Sequence, residues 1–514
     1  MPAPRAEAPT DPEIESLDHE IVVIGAGFAG IGAAIKLARA GFDDFVILEA
    51  GDDVGGTWHW NTYPGIAVDI PSFCYQYSFE KRADWSRTYA PGNELKAYAT
   101  HCVAKYGLGP RLRFNTTVTA AEFDADRRRW RLTTATGDRC TARFVINACG
   151  ILTQPVIPDI PGATEFGGAT MHTARWDHDQ SLRGKRVGII GTGASAVQVI
   201  PAIAADVGQL TVFQRTPIWC LPKPDVALPR PAQWLLDRVP AAQWGSWLAA
   251  QLFVEFTFPI PAHYQSAIPR FLPISHALAR RYLRSQVRDP QVRDKLTPRY
   301  GLGCKRPSFH NSYLATFNRP NVFLETTPIT AINQAGVRVD DGAQPDGTQH
   351  DLDVLIFATG FKVMDPDNMP TYALRGLDGT ELGAFWDEHR LQAYHGVSVP
   401  GYPNHFSIIG PYGYNGSSYF NLIEAQTDHI MRCLRHARTR GADYVEVSRE
   451  ANDRFFAEMM RRRRGQIFWQ DSCAAANSYY FDKHGDVPLR PATSLEVAWR
   501  SRSFRLEDYL FRAG

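Results

Sequence analysis

Two stretches of the 514-residue chain carry glycines at a spacing that suits phosphate binding. Gly25, Gly27 and Gly30 follow the apolar run at residues 21–24, and the next apolar run ends in Glu49. In a strand–turn–helix–strand unit, the first glycine permits the tight turn, the second lets a pyrophosphate approach and the third allows close helix packing. An acid at the end of the second strand can bind ribose hydroxyls. The pattern predicts an FAD site.

A second unit of the same plan occupies residues 185–217. Gly191 and Gly193 hold the first two glycine positions, and Ala196 replaces the third. The second strand ends in Arg215 rather than in an acid. A guanidinium binds a ribose 2′-phosphate bidentately, whereas a carboxylate would repel it. This unit therefore predicts an NADPH site, with an ordinary surface arginine as the alternative for Arg215.

Two further apolar segments, at residues 142–150 and 351–361, are typical of strands that return to a sheet. They predict an α/β protein with two Rossmann-like dinucleotide-binding domains, the NADP domain being inserted into the FAD domain, plus a helical elaboration. The predicted boundaries are a disordered lead-in (1–17), the FAD-binding domain, first part (18–165), a linker (166–180), the NADP-binding domain (181–345) with a helical insertion at about 218–300, and the second part of the FAD-binding domain with a C-terminal substrate-pocket region (346–514).

Composition places the chain among ordinary globular proteins. Hydrophobic residues make up 44% and charged residues 21%, and the formal net charge is +1, so nothing points to a nucleic-acid partner. None of the eight cysteines forms a CxxC pair, and we therefore expect no metal site. Scattered cysteines are typical of a reducing compartment, which predicts a cytoplasmic protein.

The most apolar segment, residues 247–261, is interrupted by Gln251 and Glu255 and meets Pro259. It is too short to cross a bilayer, so no transmembrane segment is expected. A buried or lid helix is the favoured interpretation, and a patch on a membrane surface is the alternative.

The disulfide reductases that share a two-nucleotide architecture need a redox-active cysteine pair just after the FAD motif. Here that region holds only Cys74. The stretch "FGGATMHTARWD" instead resembles the fingerprint of type I Baeyer–Villiger monooxygenases, F-x-G-x-x-x-H-x-x-x-W-[P/D]. The matching residues of this fingerprint are Phe166, Gly168, His172, Trp176 and Asp177. The stretch has the pattern of neither a strand nor a long helix, so we expect it to form a linker.

A second family pattern, [A/G]-G-x-W-x-x-x-x-[F/Y]-P-[G/M]-x-x-x-D, is matched by "GGTWHWNTYPGIAVD" and ends at Asp69. The resemblance implies an NADPH- and O₂-dependent enzyme in which a C4a-peroxyflavin inserts one oxygen atom next to the carbonyl of a small hydrophobic ketone, giving an ester or lactone. It also implies sulfoxidation as a further activity.

The resemblance implies a catalytic pair, Arg306 and Asp69, in which the arginine stabilises a developing anion. At about 4 Å and an effective dielectric of ~20, such a charge contributes ~4 kcal/mol. The implied FAD contacts are Gly25, Gly27, Phe28, Ala29, Gly30, Glu49, Thr57, Trp58, Asp69, Tyr75 and Val118. The implied NADP contacts are Ala67, Val68, Asp69, Gly191, Thr192, Gly193, Ala194, Ser195, Ala196, Arg215, Thr216, Lys305 and Arg306.

Two alternatives stay open at this point. An N- or S-oxygenating flavin monooxygenase would share both nucleotide sites but would need no anion stabiliser, and a catalytically silent redox sensor would need neither Arg306 nor Asp69. The substrate pocket is expected from parts of residues 218–300, 410–421 and 473–486, which are aromatic and apolar. The oligomeric state is not indicated by the sequence.

Overall fold

The computed structural model describes residues 17–268, 271–340, 342, 347–473, 476 and 478–514. The predicted disordered lead-in therefore lies, except for Leu17, outside the described residues.

A large mixed sheet forms the first layer of the molecule. Its parallel part centres on His19–Ile24, which pairs with Phe45–Leu48 on one side and Arg139–Asn147 on the other. These strands are buried apolar runs, as expected of strands that are covered on both faces. The remaining strands of this sheet are Leu112–Arg113, Val118–Asp124, Arg129–Thr134, Ala373–Arg375 and His405–Ser407.

A second sheet of five parallel strands forms the other nucleotide-binding unit. In spatial order its strands are Val322–Glu325, Gln209–Phe213, Arg186–Ile190, Val354–Phe357 and Ala169–His172. The stretch predicted as a strandless linker thus supplies the edge strand of this sheet. The strand at 354–357 lies inside it, beyond the boundary that we predicted at residue 345, so that boundary is misplaced.

Smaller elements complete the fold. Antiparallel strands are Ile329–Asn333, Gly336–Val339 and Thr348–Asp351 in one sheet and Ala442–Val447 with Tyr509–Ala513 in another, while Cys220–Leu221 pairs in parallel with Ser308–Phe309. The α-helices are Phe28–Arg39, Thr57–Trp60, Gly92–Lys105, Ala194–Ile203, Arg230–Arg238, Pro240–Thr257, Pro259–His263, Phe271–Gln286, Pro290–Lys295, Tyr313–Thr316, Leu382–His389, Tyr419–Arg440, Arg449–Arg462 and Ser494–Ser503. The 3₁₀ helices are Gly109–Arg111, Gln265–Ala267, Pro366–Asn368, Arg463–Gly465, Ile467–Trp469, Asp471–Cys473 and Leu506–Asp508.

Each sheet has its own hydrophobic core. Helix Phe28–Arg39 and helix Tyr419–Arg440 pack together beside the first sheet, and helix Ala194–Ile203 contributes to the core of the second. The hydrophobic clusters of the two sheets are separate from each other, which keeps the two glycine loops on separate units.

Most of the apolar segment 247–261, expected to be a buried or lid helix, belongs to helix Pro240–Thr257, which is not buried. Only Ala250 and Val254 are buried along it, and several large apolar side chains face outward. No helix in the described ranges is long and apolar enough to cross a membrane. Among the same residues, no cluster of three or more His, Cys, Asp or Glu side chains has the arrangement of a metal site.

Candidate active site

Arg306 is held by partners from two other parts of the chain. Its Nε and Nη2 atoms donate hydrogen bonds to Oδ2 of Asp69 at 3.0 and 2.8 Å, and its Nη1 donates to the hydroxyl of Tyr414 at 2.9 Å. Arg306 lies between helix Pro290–Lys295 and strand Ser308–Phe309, whereas Asp69 belongs to the first unit. The fold therefore brings the predicted catalytic pair into direct contact.

The surroundings of Arg306 favour a permanent positive charge. Burial alone would lower its pKa, but Asp69 and neighbouring tyrosines raise it well above its usual value. Burial raises the pKa of Tyr414 to about 12, against the opposing effect of the arginine charge. Tyr414 is thus a neutral hydroxyl at physiological pH. Sequence reasoning did not single out this residue; its signal was its place in the glycine-rich aromatic loop at 410–421.

Aromatic side chains enclose the same guanidinium. It lies 5.0 Å from the ring centre of Phe258, which follows helix Pro240–Thr257. Burial raises the pKa of Tyr480, and the charge of Arg306 acts on it in the opposite direction. All three segments predicted to form the substrate pocket therefore reach Arg306, although residues 474, 475 and 477 lie outside the described part.

The first glycine loop has the shape of a phosphate cradle. Gly25 has a φ of +103°, and a Cβ there would lie 2.7 Å from the carbonyl oxygen of Ala148. Helix Phe28–Arg39 begins after Gly27 without a side-chain cap, so its first N–H groups are available to an anion. A Cβ on Gly56 would lie 2.9 Å from the Cα of Gly27, so position 56 must stay without a side chain. These features fit the pyrophosphate of FAD.

Glu49 lies beside this loop and is nearly buried. Its carboxylate accepts hydrogen bonds from the N–H groups of Ala26 at 2.6 Å and Gly51 at 2.8 Å. An ionised carboxylate has about four acceptor sites, so capacity remains for ribose hydroxyls.

The other residues predicted to contact FAD are distributed around the first sheet. Phe28 and Ala29 are buried in the first turn of the helix. Tyr75 packs edge-on against Phe28 and Trp58, with ring centres 6.3 and 5.8 Å apart. Thr57 starts a four-residue helix, and Val118 begins the strand that pairs with Arg129–Thr134.

The second glycine loop repeats these features on the second sheet. Gly191 has a φ of +112°, and a Cβ there would lie 2.4 Å from the carbonyl oxygen of Ala358. A Cβ on Gly193 would meet open space, and helix Ala194–Ile203 begins there without a side-chain cap. Ala196 is fully buried, so its methyl group packs without the third glycine. This loop likewise fits a dinucleotide phosphate.

Two cations lie together at the end of the second strand of this unit. Burial, and then the charge of Arg215, lowers the pKa of Lys305. Arg215 is exposed, and the adjacent Thr216 accepts a 2.8 Å hydrogen bond from the hydroxyl of Thr192 through its carbonyl. Paired cations beside a glycine loop suit the 2′-phosphate of NADP.

The two units meet through a side chain that the sequence did not reveal as functional. Gln198, on helix Ala194–Ile203, donates to the carbonyl of Ala67 at 2.8 Å and accepts from the hydroxyl of Tyr63 at 3.0 Å. Tyr63 also interacts with Ser195. Val68 is buried next to these groups. The loop that ends in Asp69 is thereby attached to the second unit.

The fingerprint residues pack against, or hydrogen-bond to, neighbouring parts of the second unit. Nδ1 of His172 accepts the N–H of Ala174 at 3.0 Å, and burial lowers the pKa of this histidine to about 4. A Cβ on Gly168 would lie 2.4 Å from the carbonyl oxygen of Asp353. Phe166 and Trp176 pack on the cores of the second unit, and Asp177 accepts the N–H of Asp179.

The fingerprint also contacts the other family pattern. The guanidinium of Arg175 lies 4.2 Å from the ring centre of Trp60, and His178 hydrogen-bonds to Thr62 at 2.8 Å. Both long patterns therefore meet at the junction between the units.

The structure contains a disulfide that the scattered cysteines of the sequence did not predict. Cys304 and Cys473 form a disulfide across a sequence separation of 169 residues. The bond joins the segment that carries Arg306 to the segment that precedes Tyr479. The other cysteines are free.

Comparison with known proteins identifies the family. Residues 22–231 match the family model described as pyridine nucleotide-disulphide oxidoreductase. A Baeyer–Villiger monooxygenase of Streptomyces coelicolor is 36% identical over 500 residues, covering 95% of this chain and 92% of that protein. One from Pseudomonas aeruginosa is 35% identical over 480 residues, covering 92% and 87%.

Solved structures agree with this assignment. OTEMO in complex with FAD and NADP superposes with a TM-score of 0.85 at 28% identity, covering 97% of this chain and all of that chain. Oxidised steroid monooxygenase bound to NADP superposes with a TM-score of 0.84 at 27% identity, covering 97% of this chain and all of that one. These likenesses confirm the predicted fold class and the resemblance found in the two patterns: the chain belongs to the Baeyer–Villiger monooxygenase family.

Proposed function

We propose that this enzyme uses NADPH and O₂ to insert one oxygen atom next to the carbonyl of a small hydrophobic ketone. FAD binds at the first glycine loop and NADPH at the second. The observation that carries the proposal is the contact of Arg306 with both Asp69 and Tyr414, at the junction of the two units. When bound, FAD supplies the redox chemistry and the activation of oxygen.

Arg306 supplies a fixed positive charge where negative charge develops during the reaction. Asp69 uses a single oxygen to hold the guanidinium, which leaves its other oxygen as an acceptor. Tyr414 fixes the remaining end of the guanidinium. Phe258 and the buried Tyr480, both next to Arg306, provide an apolar wall that limits the access of water and suits an apolar ketone.

Arg215 and Lys305 hold the 2′-phosphate of NADPH. Gln198 ties the loop at Ala67 to the helix that follows the NADPH loop, so nucleotide binding and the position of Asp69 are connected. A cytoplasmic location follows as part of the proposal, because NADPH is supplied inside the cell.

The test is product analysis with purified holoenzyme, NADPH and a panel of cyclic, linear and aryl ketones with sulfides beside them. Esters or lactones formed in proportion to NADPH consumed support the proposal. Unchanged ketones together with S- or N-oxides would instead identify the enzyme as an N- or S-oxygenating flavin monooxygenase. NADPH left unoxidised in the presence of bound FAD would favour a silent sensor.

A further inference from the structure

An apolar stripe runs along the outer face of helix Pro240–Thr257. Its large members are exposed, Trp244 by 55% and Phe256 by 61%. They recur every three or four residues, so they share one face of the helix. We call this face the apolar stripe: Ala241, Trp244, Gly245, Leu248, Ala249, Leu252, Phe253 and Phe256.

Two polar residues of the same helix, Gln251 and Glu255, point the other way and are paired. Gln251 exchanges two hydrogen bonds with Asn421, at 2.7 and 2.6 Å. The carboxylate of Glu255 accepts the N–H of Ser494 at 3.0 Å. These bonds fix the rotation of the helix, with its polar groups toward the protein and its apolar stripe toward the outside. The arrangement is the inverse of an ordinary surface helix.

The preceding helix, Arg230–Arg238, extends the apolar surface. Its Trp234 is 62% exposed and Leu235 is also exposed, while Gln233 anchors the helix through a 3.0 Å hydrogen bond to the carbonyl of Trp85. Large exposed apolar side chains on two helices that contact each other point to an interaction site.

Basic side chains border this surface. Arg230 and Arg238 are exposed at the two ends of helix Arg230–Arg238. The ammonium group of Lys81 lies 5.4 Å from the ring centre of Trp247. Oδ2 of Asp237 lies 3.4 Å from Nε of Arg238.

We propose that the apolar stripe and its basic border bind the surface of an anionic lipid membrane. Tryptophan, phenylalanine and leucine on one helix face suit insertion at the headgroup–acyl boundary, and lysine and arginine beside them attract anionic headgroups. A second copy docked on the same face would bring its own basic border toward this one, whereas anionic lipid supplies the complementary charge. The helix lies on the membrane and does not cross it.

The stripe leads directly to the reaction centre. Helix Pro240–Thr257 is followed by Phe258, whose ring lies 5.0 Å from the guanidinium of Arg306. Membrane docking would therefore bring the site close to apolar ketone that is dissolved in the lipid, a consequence that rests on the proposed function. The docking itself does not depend on activity.

Flotation of the full-length holoenzyme with lipid vesicles tests the proposal. Vesicles of phosphatidylcholine are compared with vesicles that also contain phosphatidylglycerol. We expect binding to the anionic vesicles, weakened by about 0.5 M salt. Combining Trp244→Ser, Leu252→Ser and Phe256→Ser should lower the bound fraction by about tenfold or more.

The matched control is Phe323→Ser, which removes an exposed aromatic side chain from the edge strand of the second sheet and should leave binding unchanged. Circular dichroism and bound flavin establish that each variant is folded. Absence of vesicle binding, or equal binding by the triple variant, would overturn the proposal. So would a dimer, detected by light scattering without lipid and lost in the triple variant, if no vesicle binding accompanies it.

Discussion

Both Nε and Nη2 of Arg306 donate to the same carboxylate oxygen of Asp69, at 3.0 and 2.8 Å. This is a different geometry from a fork-to-fork pair, in which each oxygen would accept one bond. The guanidinium is positioned by Oδ2, which leaves Oδ1 as a further acceptor. Asp69 therefore has two separable properties, its hydrogen-bonding oxygen and its charge.

Asp69→Asn and Asp69→Ala should separate these properties. An asparagine oxygen can still accept from Arg306, whereas alanine leaves the guanidinium held by Tyr414 alone. We expect a loss in kcat of about 100-fold for Asp69→Ala, as for a misplacement of about 1 Å, and a smaller loss for Asp69→Asn. Steady-state ester formation measures both. Equal rates for the two variants would contradict a positioning role for the oxygen.

Arg306→Ala should abolish oxygenation while FAD stays bound, because the FAD loop lies on the other unit. Losing a charge that contributes ~4 kcal/mol corresponds to roughly a thousandfold lower rate. Arg306→Lys keeps the charge without the planar fork and should restore activity in part. Gas chromatography of ester, alongside an assay of hydrogen peroxide, checks this. Near-normal ester yield from Arg306→Ala would show that the arginine is structural.

Arg215→Ala should erase most of the preference for NADPH over NADH. A charge-assisted contact with the 2′-phosphate contributes about 1.5–3 kcal/mol, or roughly 10- to 100-fold in kcat/KM. Lys305→Ala should act in the same direction, because its charge lies near that of Arg215. The ratio of flavin reduction rates at subsaturating nucleotide is the measurement. A wild-type enzyme that reduces its flavin equally fast with both nucleotides would refute the assignment.

The sequence predicted the features that depend on residues close together in the chain, and it did not reveal the features that depend on partners far apart in the chain. The two glycine loops were recognised because turn, phosphate approach and helix start lie within a few residues of each other. The strand at 354–357 was assigned to the wrong unit, since an apolar run does not reveal which sheet it joins. The apolar segment 247–261 was expected to form a buried or lid helix. Its exposed face could not be predicted, because Asn421 and Ser494, which pair with its polar side chains, lie far along the chain.

The disulfide between Cys304 and Cys473 should be found in protein purified without reductant. Peptide mapping after alkylation is expected to recover the two cysteines as one linked peptide. Removing a native disulfide typically costs about 2–5 kcal/mol, so Cys473→Ser should lower the thermal midpoint by several degrees. Cys140→Ser, which changes a half-buried free cysteine, is the matched control. Alkylation of both thiols in unreduced protein would contradict the bond.

His172 should contribute to acid sensitivity rather than to proton transfer. Burial, and then the charge of Arg175, lowers its pKa in the folded protein to about 4, whereas in the unfolded chain it is about 6.5. The folded protein contains His172 in its neutral form. The contribution of this residue to the stability of the fold is therefore complete above about pH 6.5 and is lost as the pH falls from there toward 4. Integrated over that window, the loss amounts to about 3 kcal/mol.

His172→Asn tests this directly, because the asparagine oxygen can replace Nδ1 as acceptor for the N–H of Ala174 but does not titrate. Thermal midpoints of both proteins between pH 5 and 8 are the measurement. We expect the wild type to lose stability relative to His172→Asn as the pH is lowered, while ester formation at pH 8 changes little. A constant difference across the pH range, or a loss of activity with normal stability, would show that this histidine titrates or reacts in the folded enzyme.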